Sequence, residues 1–267
     1  MLIEERHQAI LARLSENGSI TNLDIQKEFG ISYDSAKRDL RILEEKGLLK
    51  RTHGGALPIR QVAAGRPAKM TIKDMTEVRE NYWAIAKKAV SMINQGDVVY
   101  IPAATVGLFM VQNIPDDLKI RVVTNSIVLA QELRAKDNIR VILLGGEMDD
   151  RGNCCDAMAI EQIKRLRFDK CFMTAACISA EFGMSIQKTQ GISYKNAAMD
   201  SARMTIGLFP REKIGFDSIV SICPADRLDC LITDWDTSPD DIKSFEELGL
   251  KVIVVEKEGT GKNEELQ

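Results

Sequence analysis

Apolar residues recur at helical spacing across Glu4 to Glu16, where Ile3, His7, Ile10, Leu11 and Leu14 share one face. Gly18 ends that pattern. Thr21, with Asp24 three residues on, predicts the N-cap of a short helix through Phe29 that offers Leu23, Ile25 and Phe29 to a core. Gly30 makes the turn, and Ser32 caps a third helix that runs to about Lys46, with Leu40 and Leu43 in its apolar stripe and Gly47 at its end. Leu48 to Arg51 and Ala56-Leu57 then predict two short strands around Thr52 to Gly55. Three helices and a wing therefore make a compact domain over residues 1–60.

From Gln61 to about Thr76 no period is visible, which predicts a linker over residues 61–76. Beyond it the pattern alternates between helix and strand. Glu77 to Asn94 reads as a helix, Asp97 to Ile101 as a strand, Val106 to Asn113 as a helix and Ile120 to Thr124 as a strand. Ser126 to Ala135 is helical, and Ile139 to Leu144 is a strand ending at Gly145-Gly146. Lys170 to Ala176, Cys230 to Thr233 and Lys251 to Val255 are strand-like, with helices over Tyr194 to Met204 and near Ser238 to Leu248. Short β-branched runs between helices predict a mostly parallel sheet covered on both faces, in a larger α/β domain over residues 77–258 with a tail at 259–267. Such sheets bind ligands beyond the carboxyl ends of their strands. The loops there are Pro102 to Thr105, Thr124 to Ser126, Leu144 to Gly146 and Ile232 to Asp234, each small or polar and suited to an anion.

The third helix carries the chemistry of the first domain. Its open side holds Tyr33, Asp34, Ser35, Lys37, Arg38 and Arg41, a mixture able to read base edges while holding phosphates. Arg51 and His53 flank Gly54-Gly55, where a backbone without side chains can approach phosphate closely. With 36 Lys and Arg against 39 Asp and Glu, the net charge of −3 gives no whole-chain support for nucleic-acid binding. The distribution says more: from Ser32 to Arg60 cations outnumber acids seven to four.

A composition of 45% hydrophobic and 28% charged residues is that of a globular protein. No apolar run approaches the ~18 residues needed to cross a bilayer, and the acidic start is unlike a signal peptide, so a cytoplasmic protein with no membrane partner is expected. All 6 cysteines (Cys154, Cys155, Cys171, Cys177, Cys223, Cys230) follow residue 150 without a C-x-x-C pair. Buried free thiols are expected, and no metal or cofactor.

A segment of the form V-S-x-x-T-I-R-R-D-L followed by R-x-H-G-G-A marks the winged helix-turn-helix of the DeoR family of bacterial transcriptional regulators. Here Ile31-Ser32, Ser35-Ala36 and Lys37-Arg38 stand in the first part, and Asp39-Leu40 and Arg51-Thr52-His53-Gly54-Gly55-Ala56 match. The chain resembles that family along nearly its whole length, keeping Thr124-Asn125-Ser126, Leu144-Gly145-Gly146, Ile232-Thr233-Asp234, and Lys213 and Gly215 of a D-x-S-K-F-G tract. The resemblance implies an α/β effector domain similar to ribose-5-phosphate isomerase, with effector residues Ala103, Ala104, Thr105, Thr124, Asn125, Ser126, Gly145, Gly146, Lys213 and Asp234. It implies a double-stranded DNA operator, a phosphorylated metabolite, a homo-oligomer (dimer or tetramer), and repression of a carbohydrate-utilisation operon. The chain departs from the family where D-S-G-T-T is replaced by Pro102-Ala103-Ala104-Thr105-Val106, and where Pro210 stands for the tract's Asp. Lost side-chain hydrogen bonds there predict weaker binding of simple sugar phosphates. Two alternatives are a sugar-phosphate enzyme of isomerase-like fold and a redox-responsive regulator acting through Cys154-Cys155. Both histidines, His7 and His53, lie in the first domain, which argues against catalysis in the second.

Overall fold

The computed structural model describes residues 3–17, 20–46, 48–52, 54–58 and 80–257. Gly18, Gly47, His53, the expected linker 61–76, the expected helix start at 77–79 and the tail 259–267 lie outside them. The chain divides into two compact units, Met1–Gln61 and Val62–Gln267.

In the first unit α1 (Ile3–Asn17), β1 (Ile20–Thr21), α2 (Asn22–Phe29), α3 (Tyr33–Glu45), β2 (Leu49–Arg51) and β3 (Gly55–Pro58) follow in order. Thr21 and Asp24 form a reciprocal capping box that starts α2, and Gly30 ends it in the left-handed conformation at φ 63°. The wing has three strands, not two, in the antiparallel order β1-β3-β2, because Ile20 pairs with Ala56 ahead of the hairpin. Ile10, Leu14, Ile25, Ala36, Leu40, Leu43 and Leu49 form the core. Leu23, expected there, is 57% exposed, and Ile3 is also exposed. With Asn22 and Ile25 turned inward on so short a helix, Leu23 falls on the solvent side.

The second unit is built on seven parallel strands: β4 (Val98–Tyr100), β5 (Ile120–Thr124), β6 (Ile139–Leu143), β7 (Lys170–Met173), β10 (Thr205–Leu208), β12 (Cys230–Asp234) and β13 (Lys251–Val255). Their order is β13-β12-β10-β7-β4-β5-β6. Three further strands, β8 (Cys177–Ser179), β9 (Gly183–Ile186) and β11 (Val220–Cys223), make a small antiparallel sheet. The helices are α4 (Glu80–Ser91), α5 (Thr105–Asn113), α6 (Ile127–Leu133), α7 (Ala157–Lys164), α8 (Ile192–Asp200) and α9 (Pro239–Glu246). Side chains alternate between the faces of the large sheet. Val99, Val122, Phe172, Ile206 and Ile232 enter one core, while Tyr100, Val123, Met173, Phe209 and Leu231 enter the other. The small sheet, α7 and β10 were not expected from the sequence. The helix expected over Tyr194 to Met204 instead begins at Ile192 and stops at Asp200. The chain leaves β4 towards β5 and β6 on one side and returns to β7 on the other, so the β4/β7 boundary is a topological switch point.

Candidate nucleic-acid interface and effector site

The Ser32 side chain accepts the Ser35 amide at 3.2 Å and starts α3. Ala36, Asp39, Leu40 and Leu43 bury one face of that helix, which leaves Tyr33, Asp34, Lys37, Arg38 and Arg41 exposed and Ser35 half-buried. Asp34, Ser35, Lys37, Arg38 and Arg41 line a concavity of about 400 Å³ together with Arg51 of the wing. The Arg51 amide donates to Glu44 Oε1 at 2.9 Å, which ties β2 to the end of α3. Lys37 lies 5.0 Å over the Tyr33 ring, and Arg41 is 3.9 Å from Glu45. The Arg38 side chain makes no hydrogen bond or ion pair among the described residues. His53 lies outside them. Gly54 is exposed with open space where a Cβ would stand, whereas Gly55 is buried and a Cβ there would meet the Ile20 carbonyl oxygen at 2.0 Å. Gly55 thus has a packing reason of its own to be glycine: β1 crosses too close for any side chain.

Sequence reasoning matched Asp39 to a family pattern without seeing what it does. Arg6 Nε and Nη2 donate to its two carboxylate oxygens at 2.7 and 3.2 Å, and His7 Nε2 lies 3.2 Å from Oδ1. All three residues are buried. Burial opposes ionisation of Asp39, but the hydrogen bonds from Arg6 and His7 outweigh it and hold the carboxyl below its usual range. The hydrogen bond to Asp39 in turn raises Arg6. A carboxylate in step with Ala36 and Leu43 on the apolar face of α3, with Arg6 and His7 beside the apolar stripe of α1, was the available signal.

In the second unit the four expected loops sit at strand ends, but much of their polarity is used internally. Asp234 is fully buried, and its carboxylate accepts from Asn81 Nδ2 at 3.1 Å and from the amides of Arg211 and Asp236 at 2.8 and 3.1 Å. It braces α4 and the turn after β10, so its expected contact with an effector is replaced by a structural one. Thr124 Oγ1 accepts the Ser126 amide, and Ser126 caps α6. Gly145 exchanges two hydrogen bonds with the Gln162 amide, each 3.1 Å. Gly146, at φ 148°, leaves room for Asp156, whose carboxylate a Cβ would meet at 2.3 Å. These four residues thus hold the loops in place. At the first loop Ala104 occupies the N-cap of α5 without a side-chain hydrogen bond, and Thr105 is already helical and buried.

Asn125 and Lys213 do turn towards the switch point. Asn125 Oδ1 accepts the Tyr100 hydroxyl at 3.1 Å, while Nδ2 donates to the Cys154 carbonyl and to Cys155 Sγ, both at 3.1 Å. Lys213 Nζ donates to Thr174 Oγ1 at 3.3 Å and to the Ala175 carbonyl at 3.0 Å, just past β7. Lys195, which sequence reasoning missed, donates to the Thr174 carbonyl at 3.1 Å. Nothing in the Tyr194-Lys195-Asn196 string marks it, since only the packing of α8 on β7 brings it there. Burial pushes the Cys155 and Cys154 thiols up, with Asp149 adding to the effect at both. A raised pKa disfavours the thiolate on which a redox switch between them depends.

Residues 79–235 match the DeoR C terminal sensor domain, and residues 6–62 match the DeoR-like helix-turn-helix domain. The chain belongs to the DeoR family. It is similar to the HTH-type transcriptional regulator GlpR of Haloferax volcanii, at 30% identity over 95% of this chain and 98% of that one. It is also similar to the lactose phosphotransferase system repressor of Lactococcus lactis subsp. lactis, at 32% over 91% and 95%. Ribose 5 phosphate isomerase A from Neisseria gonorrhoeae aligns at 14% identity over 56% of each chain with a TM-score of 0.37, too distant to bear on activity. This DeoR-family chain is a DNA-binding transcriptional regulator whose second unit is a sensor domain on a mostly parallel sheet. Among the described residues no helix is long and apolar enough to cross a membrane.

Proposed function

We propose that this regulator represses a carbohydrate-utilisation operon by laying the open face of α3 and Arg51 of the wing on operator DNA. In this reading a phosphorylated metabolite at the strand ends of the second unit relieves the repression. The observation that carries the proposal is the convergence of Lys37, Arg38, Arg41 and Arg51 around one concavity opposite a buried helix face. Cations and hydroxyls on the exposed face of a helix are what phosphate positioning and base readout require. The repressor named for the lactose phosphotransferase system among its relatives supports the sign of control.

A single unit with so slight a positive balance binds weakly, and two linked copies raise each other's effective concentration. The regulator therefore acts in the cytoplasm as a homo-oligomer, dimer or tetramer, on half-sites about 34 Å apart or a multiple of that. Catalysis has no part in this reading, because both histidines lie in the first 60 residues and His7 is held by Asp39. The test is a gel-shift titration of the full-length protein on DNA from upstream of its own operon, with and without a panel of sugar phosphates. A retarded band that one phosphate ester releases supports the reading. No retardation on that DNA, or a band indifferent to every ester, sinks the corresponding half of it.

A further inference from the structure

We propose that Lys195 is the principal cation of the effector seat, holding the phosphate of a small phosphorylated metabolite over the Thr174-Ala175 turn with Lys213 as its second cation. The inference rests on reading the second unit as an effector domain, and it names where the anion sits. Lys195 is drawn in from α8 to the carboxyl end of β7, half-buried beside Cys155 and Cys171. Its ammonium has three N–H donors. One reaches the Thr174 carbonyl at 3.1 Å and another makes a weak 3.9 Å contact with Met173 Sδ. The third has no partner among the described residues, and no carboxylate pairs with this lysine. Desolvating an ammonium without a counter-ion is costly, so proteins place such groups where a ligand supplies the missing charge. Burial also pulls this amine below its ordinary range, in keeping with the absence of a carboxylate.

Lys213 reaches the same turn from the short helical turn after β10, through Thr174 Oγ1 and the Ala175 carbonyl. Two cations on one dipeptide favour a dianion over a neutral polyol. Across the switch point α5 begins at Ala104 without a side-chain cap, which leaves its amino end open to the same negative charge. The polarity that the Pro102-Ala103-Ala104 loop lacks is therefore supplied from the β7 side of the boundary, and Asn125, braced by Tyr100, flanks it. The remainder of the ligand lies towards the apolar Ala103-Ala104 loop, which suits a short metabolite with few hydroxyls at that end.

The probes are inorganic phosphate and the sugar-phosphate panel, titrated by calorimetry into full-length wild type, Lys195→Met, Lys195→Arg and Lys213→Met. Lys195→Met should weaken phosphate binding roughly ten- to a hundredfold, as loss of a charged hydrogen bond does. Lys195→Arg should retain part of the affinity. Without ligand the Met variant should unfold at the wild-type temperature or above, since an unpaired cation has been removed; a lysine needed only for structure would lower it. Phosphate binding unchanged in Lys195→Met, with wild type responding normally, overturns the assignment and leaves the effector reading standing. Wild type that binds neither phosphate nor any ester overturns both.

Discussion

The open face of α3 and the carboxyl end of β7 place their cations in opposite ways. On α3, Lys37, Arg38 and Arg41 stand in solvent, and the pair of Arg41 with Glu45 is exposed and contributes little to stability. At β7, Lys195 and Lys213 are drawn inward and bonded to backbone carbonyls. Solvated cations leave folding untouched and act through counter-ion release when DNA arrives, which makes their effect salt-dependent. The seat proposed at Lys195, desolvated without a carboxylate, couples ligand binding to the stability of the second unit. Among its described residues the first unit has a buried charge cluster of its own, Arg6-His7-Asp39, on the side of α3 away from its open face, joining α1 to α3.

That cluster offers the largest test of the contrast. Asp39→Ala leaves Arg6 buried without its partner and should cost about 3–5 kcal/mol in the stability of the first unit. Urea denaturation followed by a probe in that unit reads it, and a loss within the noise would mean that the cluster is as idle as the surface pairs. The folded pKa of Asp39 is depressed, so its contribution is fully present above the ordinary carboxylate range and is lost as pH falls from that range through the lower pKa of the folded state. A stability profile of the first unit that is flat below neutral pH contradicts this.

Next in size, Gly55→Ala pushes a methyl into the Ile20 carbonyl and should destabilise the wing by about 1–3 kcal/mol, while Gly54→Ala, in open space, should stay within roughly 0.5 kcal/mol. Equal effects at the two positions would put the wing's packing in error. Ser32→Ala removes the cap of α3 and should cost about 1 kcal/mol, measurable as a lower unfolding midpoint with the reading face otherwise intact. Smallest, Arg51→Ala should lower the slope of log affinity against log salt by about one, with no preference among DNA sequences. A slope equal to that of wild type would take the wing off the phosphate backbone.

The two regions were also unequally legible. Caps, the turn glycine and the apolar stripe of α3 are local, so Thr21, Ser32, Gly30 and Leu40 could be placed from spacing alone. The α/β alternation was likewise readable, since β-branched runs such as Ile120 to Thr124 announce buried parallel strands. Thr205 to Leu208 escaped because its glycine and short apolar run carry no period, although it is a central strand. What a buried polar group touches depends on topology rather than spacing. Asp234 was expected to face a ligand, yet it meets Asn81 from a helix more than 150 residues away. Lys195 went unnoticed because the β7 end that receives it is defined only when the sheet forms. The glycines divide on the same principle: Gly54 is free as the turn suggests, and Gly55 is fixed by a strand that pairs from outside the hairpin.

The central claim, that the solvated face of α3 reads the operator, is tested most directly at Arg38, an exposed cation there whose side chain makes no hydrogen bond or ion pair among the described residues. Fluorescence anisotropy would compare full-length wild type and Arg38→Ala on the operator and on a scrambled duplex of equal length. The predicted result is a loss of about 1–3 kcal/mol on the operator, a smaller loss on the scrambled duplex, and an unchanged unfolding midpoint. Wild-type affinity of Arg38→Ala for the operator would contradict the account.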